Sequence, residues 1–315
     1  MKSNQARLNT GSVVPLLGLG TFSISYDFHQ TNLAIKMALK MGYRHFDTAK
    51  IYGSESILGQ ALMEAINDGM VNRDELFVTS KLWSSDHHDP VAALQQSLRK
   101  MGMEYLDLYM VHWPVRFKSC AEYPVPNEED FEELDMKSTW VNMEKCLELG
   151  LCKAIGVSNF STKKLQNLLD FASIPPSVNQ IEMHPMWKQN KLRKFCMEHN
   201  IHISAYMPLG GPGNIWGSTS VIQDPIIQSI AQKYQVTSAQ VALRWGMQKG
   251  ASVIVKSFNE NRMKENFGAL EIKLDDHDMI NIEKMVERKI MRGDHLVNKT
   301  TSPYKTVEDL WDNEI

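Results

Sequence analysis

Long hydrophobic runs are missing from this sequence. No stretch approaches the ~18 apolar residues expected of a membrane-crossing helix, and residues 1–9 are polar where a secretory leader carries an apolar segment. Cysteine is scarce. The four present in 315 residues (Cys120, Cys146, Cys152, Cys196) form no CxxC pair and show no metal-finger spacing, which argues against a disulfide framework and for reduced thiols in the cytosol. Charge of one dominant sign is absent as well. A net charge of −3 supplies no basic field for nucleic acid and no polybasic patch for a membrane. Asn159-Phe160-Ser161 and Asn298-Lys299-Thr300 have the form of glycosylation sites but carry no weight without secretion.

Several motifs of familiar chemistry are also lacking. Gly18-Leu19-Gly20 has no third glycine at the right offset and no acidic partner on a second strand, so the open-sheet dinucleotide fingerprint is not met. There is no Walker phosphate loop, no HExxH and no GxSxG. His87-His88 has no companion ligands at zinc spacing, and adjacent side chains point different ways on most backbones. The pair is expected to be solvated surface.

What is present is an ordinary globular composition, 43% hydrophobic and 23% charged. Short apolar runs rich in Val, Ile, Tyr and Phe fall at 16–19, 44–46, 76–80, 106–111, 154–157, 177–181, 202–206 and 252–255. Few alternate with polar residues, as expected of strands buried on both faces. Between them, apolar residues recur at spacings of three and four over 31–41, 54–67, 90–100, 138–149, 162–171, 190–198 and 238–248, predicting helices. Ser54 is placed to N-cap the second.

Eight strand–helix units in about 250 residues fit a closed (β/α)₈ barrel better than an open sheet. Residues 1–315 then form one domain, although length alone suggests two. Thr10-Gly11 between apolar residues predicts an N-terminal β-hairpin covering one barrel end. Segments 116–137, 210–220 and the polar tail 292–315 are expected as long loops, the first projecting from the C-terminal face.

The chemical signal lies at strand ends. Asp47 follows the second predicted strand, with Tyr52 five residues on; Lys81 closes the third and His112 the fourth. Each alone has an ordinary explanation: a packed tyrosine, solvated Lys and Asp, a structural histidine. In a parallel barrel, however, these ends are neighbours on one rim. Hydride reduction of a carbonyl places negative charge on oxygen and needs a proton donor with electrostatic support. A tyrosine could donate, with a lysine lowering its pKa and an aspartate holding the lysine. The histidine would orient the substrate oxygen.

The runs Gly42-Tyr43-Arg44-His45-Phe46-Asp47-Thr48-Ala49 with Tyr52-Gly53-Ser54-Glu55, Leu106-Asp107-Leu108-Tyr109 leading to His112-Trp113-Pro114, and Ala154-Ile155-Gly156-Val157-Ser158-Asn159-Phe160 resemble the aldo-keto reductase superfamily, from about Leu8 to the C-terminus. The resemblance implies a TIM barrel reducing a small-molecule ketone or aldehyde with NADPH, Tyr52 as general acid and Asp47, Lys81 and His112 completing a tetrad. It implies that Ser158, Asn159 and Gln180 hold the nicotinamide carboxamide, with Tyr206 stacked on the ring. It places Gly20, Thr21, Phe22, Asp47 and Leu209 nearby. Lys256, Ser257, Phe258, Arg262, Glu265 and Asn266 would hold the adenosine end, where two cations suit a 2′-phosphate and favour NADPH over NADH. A monomer is the family default, and no metal, nucleic acid or membrane is expected.

Two departures stand out. Val255 replaces a common proline. Lys50 sits where small or apolar residues are usual; it either faces the pocket, favouring an anionic substrate or depressing Tyr52, or points to solvent, the ordinary choice. Thr79-Ser80-Lys81-Leu82-Trp83, Trp216-Gly217, Val255-Lys256-Ser257-Phe258 and Asp309-Leu310-Trp311-Asp312 resemble the plant group of codeinone, methylecgonone and chalcone (polyketide) reductases and deoxymugineic acid synthase. That likeness implies a bulky, flat ketone of specialised metabolism, alkaloid or polyketide in type. Trp83, Trp113, Trp216 and a further candidate, Trp187, would line its pocket, at least two of them reaching it. Alternatives are a broad aldehyde-detoxifying reductase, a cofactor-sensing regulatory subunit on the same fold, and a Schiff-base aldolase at Lys81. The last leaves Tyr52 and 256–266 without a role.

Overall fold

The computed structural model describes residues 4–23, 27–121, 127–214 and 217–315. Strands β1 (Gln5–Arg7) and β2 (Val13–Pro15) pair antiparallel with Ala6 opposite Val14, forming the expected hairpin. Gly11 turns it with φ 86°, a left-handed conformation that costs glycine little. Leu8 and Val14 pack on Phe77, Leu108, Ala154 and Val178. Those four begin or precede barrel strands, so the hairpin closes the barrel's N-terminal end.

The barrel itself comprises β3 (Leu17–Gly20), β4 (His45–Asp47), β5 (Phe77–Leu82), β6 (Leu108–Val111), β9 (Ile155–Ser158), β10 (Val178–Glu182), β11 (His202–Tyr206) and β12 (Ser252–Val255). They pair parallel in that order and β12 closes on β3, with Val255 beside Leu19. All eight match the expected strands to within two residues at either end, because burial on both faces demands the unbroken apolar runs seen in the sequence.

Helices α1 (Phe28–Met41), α2 (Glu55–Asn67), α3 (Pro90–Met101), α4 (Met136–Glu148), α5 (Thr162–Leu169), α6 (Asn190–Glu198), α8 (Pro225–Tyr234), α9 (Ser238–Gln248) and α10 (Glu260–Gly268) surround it, together with the short α7 (Ser220–Gln223) and α11 (Asp276–Glu283). Asp27 caps α1 through the Gln30 amide at 2.8 Å, and Gly42 ends it with φ 103°. Pro90 opens α3 behind the Asp89 cap, and Gly102 ends it. Helices α8, α10 and α11 were not expected from periodicity. Their apolar stripes are short and partly interrupted by charge, yet each is packed against neighbours.

Four expectations need correction. Ser54 precedes α2 but does not cap it; its hydroxyl bonds those of Thr21 (2.7 Å) and Thr48 (2.9 Å) instead. His87 is buried, not solvated, and burial pushes it down to about 3, whereas His88 is exposed. Segment 116–137 is not all loop: it holds an antiparallel pair, β7 (Arg116–Phe117) and β8 (Phe131–Glu132). Finally, the tail 292–315 buries Leu296, Val307, Leu310 and Trp311 against Trp83, Trp113 and Phe117, and carries α12 (Val307–Leu310). Its apolar residues are too widely spaced to stand out in sequence.

All four cysteines are free, with Cys146, Cys152 and Cys196 buried. Among the described residues, no helix is long and apolar enough to cross a membrane.

Candidate active site

The barrel brings Asp47, Lys81 and His112 to one rim because β4, β5 and β6 are adjacent and parallel. Tyr52 arrives on the 3₁₀ turn Lys50–Tyr52 that follows β4. Lys81 is fully buried and its Nζ donates to Asp47 Oδ1 at 2.6 Å and the Thr48 carbonyl at 2.9 Å. It also lies 3.4 Å from the Tyr52 hydroxyl. Asp47 Oδ2 accepts from Gln180 Nε2 at 2.8 Å. The buried ion pair is thus fully hydrogen-bonded, the condition under which desolvating two charges is tolerable.

Burial lifts the Tyr52 phenol well above its ordinary range, and Asp47 lifts it further. This differs from the expectation that Lys81 would lower it. The reason is local: Asp47, in direct contact with Lys81, offsets the cation's field at Tyr52, while the surrounding protein desolvates the phenol. Burial likewise lowers Lys81 against the pull of Asp47. His112 is held well below its usual value, first by burial and then by the charge on Lys81, and is therefore a neutral imidazole. Its Nδ1 is buried without a partner, and the imidazole borders the cavity described below.

Beside this group lies a polar cluster. Asn159 follows β9 in the left-handed region, φ 65°, one of the few non-glycine residue types that accept it readily. Its amide donates to the His112 carbonyl (3.0 Å) and Ser158 Oγ (3.2 Å), and its carbonyl accepts from the Tyr206 hydroxyl (2.7 Å). Ser158 donates to the Gln180 backbone carbonyl at 2.8 Å. The Gln180 side chain keeps one amide hydrogen and its carbonyl oxygen in reserve, and the Asn159 side chain a carbonyl lone pair.

These residues face a cavity of about 880 Å³ that Gly20, Phe22, Leu209, Lys256, Trp83 and Trp113 also border. Thr21 is buried behind it, bonded to the Asp47 carbonyl and Ser54. Ser257, Phe258, Arg262, Glu265 and Asn266 follow β12 outside that cavity, on and before α10. Lys256 lies 4.3 Å from the centre of the Phe258 ring and is lowered by burial and by Arg262. Neither cation has an acidic partner among the described residues.

Trp187 is not in this cavity; it faces a separate one beyond 290–292. Trp216 lies outside the described residues. Lys50 neither lines the pocket nor is free in solvent, since both Asp86 oxygens accept from it at 2.7 Å. The sequence assigns no site role to the segment from Ile290 to His295, which forms part of the wall together with residues 207–214. Its anchor is Glu182, whose oxygens each accept a backbone N–H, from Ile290 and Met291, at 2.7 Å. Glu182 two residues beyond Gln180 on a buried strand was the available signal.

A buried Lys–Asp pair against a tyrosine, at the C-terminal rim of a (β/α)₈ barrel, defines an oxidoreductase acting on carbonyl and alcohol groups. The chain belongs to the Aldo/keto reductase family, whose profile matches residues 16–287. It is 46% identical over 311 residues to the (1S)-1,7-diacetoxy-luvungin A aldo-keto reductase of Citrus sinensis, covering 98% of this chain and 96% of that one. Deoxymugineic acid synthase 1 of Zea mays is 47% identical (96% and 97% covered). Aldo-keto reductase family 4 member C11 of Arabidopsis thaliana is 43% identical (98% and 98%).

Proposed function

We propose that this protein reduces a bulky ketone of plant specialised metabolism, using NADPH, with Tyr52 as the proton donor. The observation that carries the reading is the buried contact chain Gln180–Asp47–Lys81–Tyr52 opening onto a large cavity walled by Trp83 and Trp113.

Tyr52 remains a phenol at neutral pH and can give its proton to a carbonyl oxygen as charge develops there. The ammonium of Lys81 stands beside the phenolate left behind, and Asp47 fixes that ammonium in place. Neutral His112, which borders the cavity, orients the carbonyl oxygen by hydrogen bonding. Bound NADPH supplies the hydride. The chain's residues fit such a group: Gln180 and Asn159 hold unused amide capacity for a carboxamide. Gly20 borders the cavity and places no side chain in it. Lys256 and Arg262, near the N-terminus of α10, are cations awaiting an anion. Those two support NADPH over NADH, and Ser158, Tyr206, Leu209 and Phe22 complete the proposed nicotinamide environment.

Relatives named for reductases of luvungin and neemfruitin compounds support a bulky substrate, as does an aromatic wall that buries flat apolar surface. We further read residues 1–315 as one barrel domain acting as a cytosolic monomer, on the tail's packing against the barrel loops and the free thiols. The test is NADPH consumption by purified protein against small aldehydes and against polyketide-like, tropane and morphinan ketones. Turnover confined to one bulky class supports the reading. Equal turnover of many small aldehydes replaces it with a detoxifying reductase, and tight NADPH binding without any turnover replaces it with a regulatory subunit.

A further inference from the structure

The hydroxyl of Tyr52 does little to fix its own position. Among the described residues it has one hydrogen bond, from Lys81 Nζ at 3.4 Å, the longest of that ammonium's three. The ring meets Phe22 and His112 only edge-on. Placement of the phenol therefore depends on the 3₁₀ turn Lys50–Tyr52 that carries it. That turn has no side-chain cap at Ala49. Its internal bonds run from the Tyr52 N–H to the Ala49 carbonyl at 2.9 Å and from the Gly53 N–H to the Lys50 carbonyl at 3.3 Å. These set the shape of the turn but not where it sits on the rim.

Two contacts from the turn fix its seat. Ile51 packs against the cluster that holds Trp83 and Trp113. Lys50 Nζ donates to both oxygens of Asp86 at 2.7 Å, with the two side chains 27% and 16% exposed. Asp86 closes the 3₁₀ turn Ser84–Asp86 beyond β5, and its N–H bonds the Trp83 carbonyl at 2.9 Å. Ile51 and Trp83 border the active-site cavity, and the Trp83 ring lies 5.4 Å from that of His112. The ion pair thus ties the turn bearing Tyr52 to the turn following Trp83, and neither charged side chain lines the cavity itself. Burial and Asp47 account for the shift of Tyr52, so Lys50 acts on the phenol through position and not through its field. A partly exposed pair adds little to global stability, whereas a small displacement of a reacting group costs rate steeply.

We propose that Lys50 and Asp86 are positioning residues for the reduction, their ion pair holding the Tyr52 turn in register with the Trp83 turn across the active-site rim. The inference rests on Tyr52 being the proton donor. The experiment is single-turnover oxidation of NADPH by full-length protein with pyridine-3-carbaldehyde, a small activated aldehyde. Lys50→Met and Asp86→Asn are each expected to slow that step roughly 3- to 10-fold, with NADPH affinity and melting temperature unchanged. The double variant should be no slower than either single one, because both remove the same contact. Lys50→Arg, which keeps a cation for Asp86, should recover most of the lost rate. Full rate in Lys50→Met, while Tyr52→Phe is slow, overturns this inference and leaves the proton donor in place. Slowing that multiplies in the double variant, or that comes with matching losses of NADPH affinity and melting temperature, overturns it as well. No oxidation by the unaltered protein, or full rate in Tyr52→Phe, removes the proton-donor reading and the inference together.

Discussion

At the scale of single residues, the chemistry rests on a few atoms whose protonation is set by burial. Replacing Tyr52 by Phe removes one hydroxyl and keeps the ring that packs edge-on to Phe22 and His112 at 5.1 and 5.6 Å. Carbonyl turnover is expected to fall by roughly 10²- to 10⁴-fold, the usual worth of a positioned acid, while NADPH affinity measured by fluorescence stays unchanged. A variant that turns over normally would remove Tyr52 from the mechanism. The pH profile follows from directions already given. Tyr52 is raised, so it remains protonated as pH climbs through neutrality; His112 is lowered, so it is already uncharged before pH reaches its ordinary value. The rate of reduction should therefore be flat between about pH 6 and about pH 8. An inflection near the ordinary histidine value would show His112 titrating in the working enzyme.

At the scale of elements, rigidity comes from close approach. Gly59 sits inside α2, and a Cβ added there would lie 2.2 Å from the carbonyl oxygen of Met101 at the end of α3. In an isolated helix, Gly→Ala stabilises by about 1 kcal/mol. Here the clash with backbone reverses the sign, and Gly59→Ala is expected to destabilise by about 1–3 kcal/mol, read as a lower denaturation midpoint in urea. Helix periodicity announced α2 but not this contact, because the neighbour is remote in sequence. The same holds for the wall of the active-site cavity. A polar tail became the support of segment 290–292 once Trp311 Nε1 donated to the Arg292 carbonyl at 2.7 Å.

At the scale of the whole molecule, ligand binding and stability are linked. NADPH at roughly a hundred times its Kd should add about 2.7 kcal/mol to unfolding, visible as a raised melting temperature. At equal concentration NADH should add less, because it lacks the phosphate that Lys256 and Arg262 are proposed to meet. Arg262→Ala should narrow that gap by weakening NADPH roughly 10- to 100-fold, the worth of a charged hydrogen bond. Equal shifts with both cofactors in the unaltered protein would refute the phosphate contact.

By itself the sequence determined the barrel, its hairpin lid, and the placing of Asp47, Lys81 and His112 at strand ends with Tyr52 just beyond one. These depend on local pattern: apolar runs for doubly buried strands, spacings of three and four for helices, and a strand's end for each rim residue. Only the tertiary structure decided the rest. It paired Lys50 with Asp86 and buried His87. It sent Trp187 to another cavity, and turned Glu182 into the anchor of a pocket wall more than a hundred residues away. It also reversed the expected direction of the Tyr52 shift, since a pKa reports the summed field and desolvation of everything packed around the group. Such properties belong to pairs and surroundings of residues that the chain's order does not place side by side.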